Sequence, residues 1–63
     1  MTGTEMKERR QALAMTTKDL ADRVGEPESL IIANEDHVGV MQGGLAQRVD
    51  AILSSLEEAR NKP

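Results

Sequence analysis

Apolar residues recur along this 63-residue chain at helical spacing, in clusters parted by polar or glycine-containing breaks. Met6, Leu13 and Met15, with Ala12 and Ala14 between them, predict a first helix over about residues 4–14. Thr4 is its expected N-cap, and Glu5 suits the positive end of the helix dipole. Lys7, Glu8, Arg9 and Gln11 form its expected solvated face. A second start follows at Thr16, with Asp19 three residues on in capping-box spacing. Leu20, Ala21 and Val24 make one stripe, and Gly25 supplies the stop, so this helix covers 16–24.

Pro27 fits the first position of a third helix over 27–35, where a missing N–H costs nothing. Leu30, Ile31 and Asn34 then face inward, and Glu28, Ser29, Ile32 and Asp36 outward. The run Leu30 to Ile32 also suits a short strand, but it has no second strand to pair with. Gly39, Gly43 and Gly44 mark Asp36 to Gly44 as a loop. Leu45, Ala46, Val49, Ile52, Leu53 and Leu56 predict a last helix over 45–59. Arg60 and Lys62 complement its C-terminal dipole, and residues 61–63 are expected to fray. The pattern predicts one all-α domain over 1–63, a small bundle of four helices with room for a fifth.

Composition narrows this picture. A domain of this size buries only about 60% of its unfolded surface. The chain has no Phe, Trp or Tyr, so Leu, Ile, Val, Ala and Met must build the core. A second subunit would add burial, which makes a homodimer an expectation. With no Cys there is neither a disulfide nor a thiolate metal site. No apolar run approaches the roughly 20 residues of a membrane span. Residues 1–8 lack the apolar segment of a signal peptide, so a cytoplasmic protein is expected.

Helix, glycine turn and second helix follow one another as in a helix-turn-helix. The run AMTTKDLADRVGEPESLI, followed by Glu35, resembles that of the phage lambda and 434 repressor and Cro family. Met15, Thr16, Leu20, Ala21, Val24, Gly25, Ile31 and Glu35 carry the resemblance, with Met6 and Arg10 upstream. The match runs from Met6 to about Glu35; beyond it only a helix following a loop is shared. Ala21 is small enough for close helix approach, and Leu20, Val24 and Ile31 fill the space beneath. The resemblance implies a structural ion pair between Arg10 and Glu35. It also implies a transcriptional regulator that binds duplex DNA as a dimer, with Thr17, Glu28, Ser29, Ile32 and Ala33 at the contacting positions.

Charge pulls against that implication. Eight Lys and Arg face eleven Asp and Glu, a formal charge of −3, whereas isolated nucleic-acid-binding domains usually carry a basic excess. The expected contact face holds no Arg, Lys, Gln or Asn, the usual base readers. Glu28 can accept from a cytosine amino group, and Ile32 can pack on a thymine methyl. Thr17 and the first amides of the second helix can meet a phosphate. Glu26, Glu28, Glu35 and Asp36 ring the third helix with negative charge. The competing expectation is therefore a protein-protein interaction module: an antiactivator, an antirepressor or a DNA mimic.

Remaining signals are weaker. His37 is the lone histidine, and Glu35, Asp36 and His37 point in different directions from a helix end, so no metal is expected. No nucleophile–base pair or phosphate-cradling glycine motif is present, so neither an enzyme nor a cofactor is expected. Met6, Met15 and Met41 read as gap-filling core. The stripe Leu45, Val49, Ile52 and Leu56, widened by Leu53, is expected to close the core. Its second half, Ile52, Leu53 and Leu56, is the candidate dimer seam.

Overall fold

In the computed structural model, which describes residues 1–36 and 43–61, the chain forms four α-helices: α1 (Gly3–Ala12), α2 (Thr17–Val24), α3 (Glu28–Glu35) and α4 (Gly43–Asn61). The expected loop over 36–44 falls mostly outside the described residues, and so do His37, Met41 and Lys62. α2 packs on α3, α1 on both α3 and α4, and α4 closes the bundle against α2. Met6, Leu20, Ala21, Val24, Ile31, Val49 and Leu53 form the core. Leu13, Met15, Leu45, Ala46 and Ile52 pack at its edge.

α1 starts and stops earlier than its sequence pattern suggests. Thr2, not Thr4, is the N-cap, its hydroxyl accepting from the Glu5 amide at 3.1 Å. Gly3 explains the shift. A Cβ there would overlap the Asn34 carbonyl oxygen and lie 3.0 Å from that of Glu35, so only glycine lets this helix start meet the end of α3. At the far end Ala14 takes a left-handed conformation, φ 56°. The Ala14 amide then donates to the Gln11 carbonyl and that of Met15 to the Arg10 carbonyl, the paired bonds of a Schellman ending. Arg60, expected to serve its own helix, donates to the Ala12 carbonyl at the end of α1.

α2 has both arms of its capping box: the Asp19 amide donates to the Thr16 hydroxyl at 3.0 Å, and the Thr16 amide to the Asp19 carboxylate at 3.1 Å. Those bonds hold the Asp19 carboxyl below the usual range. Gly25 ends the helix at φ 81°. Pro27 precedes α3 as its N-cap rather than occupying its first turn. Gly43 and Gly44, expected in a loop, begin α4, and Asn61, expected to fray, ends it.

Arg9 is the residue whose environment departs furthest from its expected solvated face. Its Nε and Nη2 donate to the two Glu57 oxygens at 2.9 and 2.7 Å, its Nη1 to Asp50 at 2.8 Å, and its Nη2 also to Ser54. This fork ties α1 to α4. Hydrogen bonding from the guanidinium holds the Glu57 and Asp50 carboxyls below their ordinary values, while the two carboxylates raise Arg9. Carboxylates depressed in the native state stabilise it above their unfolded pKa and lose that contribution as pH falls through the native value. The gap in melting temperature between the native protein and Arg9→Gln should thus be full above about pH 5 and close toward about pH 2. Melts followed by circular dichroism check this; a gap independent of pH contradicts it.

Candidate nucleic-acid interface

The interface is built around one buried ion pair. Arg10 projects from α1 and Glu35 from the last turn of α3. Arg10 Nε donates to Glu35 Oε2 at 2.7 Å and Nη2 to Oε1 at 3.1 Å, a two-point fork. Their side chains are only 10% and 7% exposed, so water screens the pair little. Nη1 donates to the Met15 carbonyl at 2.7 Å. One guanidinium therefore fixes α1, the turn leading into α2 and the end of α3 together.

That frame presents the outer side of α3. Glu28, Ser29, Ile32 and Ala33 are exposed, and Thr17 at the start of α2 is half-buried. Ile32 is 45% exposed and Leu30 37%, the two exposed large aliphatic side chains among the described residues. Leu30 was expected inside, but at this turn of α3 only Ile31 reaches the core. Asn34, also expected inside, is half-buried and turns its amide back on its own helix, donating to the Leu30 carbonyl at 2.8 Å.

Three of the four acids around α3 have side-chain partners within the chain. Glu35 is held by Arg10. Glu26 accepts from Arg48 of α4 at 2.6 Å. Glu28 accepts from the Thr17 hydroxyl at 2.7 Å, a bond between the first residues of α2 and α3. The sequence pattern did not reveal the Glu26 and Glu28 contacts, which span 22 and 11 residues. Their only signal was the residue types. Of the four acids counted against DNA, two are thus neutralised by cations of this chain.

The candidate dimer seam is split. Leu53 is fully buried in the core of its own chain and cannot also face a partner. Ile52 and Leu56 are half-buried and line a shallow groove with Arg23 and Ser55, between α2 and α4. No helix among the described residues is long and apolar enough to cross a membrane. No family model, curated protein or solved structure matches the chain.

Removing one partner of a buried pair leaves the other charge uncompensated, which costs about 3–5 kcal/mol. Glu35→Ala should therefore destabilise the protein by about that amount in urea titrations. Arg10→Met with Glu35→Leu should recover part of the loss and no more, since the Met15 carbonyl stays without its donor. Full recovery in the double variant would contradict the three-way role of Arg10.

Proposed function

We propose that the protein is a small helix-turn-helix transcriptional regulator that places α3 in the major groove of duplex DNA and works as a dimer. The observation that carries this reading is the pairing of Glu26 with Arg48 and of Glu35 with Arg10 beside an uncovered α3. The pairing offsets two of the four acids that the bare sequence sets against phosphates. The exposure of Ile32 and Leu30 supports it further, since among the described residues the exposed large aliphatic side chains both lie on that helix.

The dimensions agree. An α-helix with its side chains is about 10–12 Å across, which fits the major groove, about 12 Å wide. Ile32 and Ala33 offer apolar contact to thymine methyls, and Ser29 can donate or accept. Lys18 on α2 is exposed and available to phosphates. With so few cations, affinity comes less from counterion release than is usual for DNA-binding domains. Half-buried Ile52 and Leu56 support the dimer, the second copy covering the groove that they line with Arg23.

A second reading, docking of α3 on another protein, is favoured by a different observation: α3 itself carries no cation, while Glu28 and Asp36 remain at its two ends. Fluorescence anisotropy with labelled random duplex separates the two. The regulator reading predicts binding at about 10 μM or tighter near 50 mM salt, with log K falling against log salt at a slope of about −2. It also predicts that Ile32→Asp weakens binding at least about tenfold while helicity is kept. Absence of binding at about 100 μM, the weak limit of the usual non-specific range even at physiological salt, would sink the regulator reading and leave the protein-docking one.

A further inference from the structure

We propose that in the free protein α3 of one copy docks, head to tail, in the groove between α2 and α4 of another. This goes beyond the regulator reading and does not rest on it. Glu28, Ile32 and Asp36 stand four residues apart, so they share one face of α3, and all three are exposed. That face reads acid, aliphatic, acid. Its C-terminal end is electrostatically unfinished. A helix C-terminus carries partial negative charge that a cation ordinarily offsets, yet the last turn of α3 has no basic residue. Arg10 takes Glu35, while Asp36 joins no ion pair among the described residues.

The complementary half of the contact lies on the same chain. Ile52, Leu56, Ser55 and Arg23 line the groove, and the exposed Arg23 joins no ion pair among the described residues. An occupant needs an aliphatic side chain with an acid one helical turn away, which Ile32 and Asp36 supply. Ile32 packs on Ile52 and Leu56 of the second copy, and the Arg23 guanidinium of that copy meets Asp36 at the end of α3. No residue of α3 lines the groove of its own chain, where Ile31 and the Arg10 fork hold the helix elsewhere. A foreign cationic partner would satisfy α3 and a foreign acidic one the groove; a second copy satisfies both in one contact. The two surfaces differ, so each docked copy leaves one α3 and one groove free and assembly propagates. The groove also serves the dimer proposed above, so the two assemblies exclude each other. One short helix buries less than the roughly 1,200 Å² of a stable complex, which sets a weak Kd, on the order of 100 μM.

The test is sedimentation equilibrium of the full chain without DNA, so its result is independent of the regulator reading. Up to about 1 mM, tenfold above that Kd, the native mass should rise with concentration and pass that of a dimer. Asp36→Lys and Arg23→Ala should each weaken association at least about tenfold. Asp36→Lys puts a cation at the end of α3, which favours the helix, so its loss of association is not a loss of fold. Helicity is checked for both. Mixed in equal amounts, the two variants should form a 1:1 pair and stop there, the intact α3 of one in the intact groove of the other. The double variant Asp36→Lys with Arg23→Glu should associate again. A native chain that stays monomeric at about 1 mM overturns the proposal, as does a mixture that forms no pair. Single variants that still dimerise as the native chain does show a seam without α3, and overturn it too.

Discussion

The Arg10–Glu35 fork is the interaction on which the rest of the structure depends. Helices of eight to ten residues are marginal on their own, and the aliphatic core that unites them holds seven buried residues among those described. A core so small fixes helix orientation only loosely. The guanidinium supplies the missing definition by engaging the α3 carboxylate twice and the turn before α2 once. Its energetic yield is modest, because both charges are withdrawn from water. Its structural yield is the angle at which α3 leaves the bundle.

Everything outward of that pair follows from how α3 is held. Ile31 alone anchors it in the apolar core, and its outer face stays uncovered. Gly3 lets the start of α1 press against the carbonyls that end α3, closing the inner side by backbone contact where a side chain would not fit. The outer side keeps Glu28, Ser29, Ile32 and Ala33 for a partner. Negative charge near that side is partly cancelled locally by Arg10 and Arg48.

Features with local causes were legible in the sequence. The Thr16–Asp19 box, the stop at Gly25 and the stripe of Leu20, Ala21 and Val24 all depend on residues within one or two turns. The Arg10–Glu35 pairing was legible only through family resemblance, since nothing in their 25-residue separation announces a contact. Other features are decided by distant neighbours. Thr2 rather than Thr4 caps α1 because α3 lies against Gly3. Arg9 leaves its solvated face because Asp50 and Glu57 stand one helix away, 41 and 48 residues along the chain. Leu30 is exposed because an eight-residue helix on the edge of a small core has room to bury one large side chain. At the candidate interface the contact positions followed from their place in the motif, whereas the Thr17–Glu28 bond required the two helix starts to be brought together.

The most direct measurement of the central claim is a map of backbone amide shifts by nuclear magnetic resonance as a short duplex is titrated into isotope-labelled protein. Shifts concentrated at Thr17, Lys18 and residues 28–33, with the amides around Arg10, Val49 and Leu53 unmoved, are the result expected of a rigid frame that presents α3. Shifts centred instead on α4, or spread evenly through the core, would contradict it.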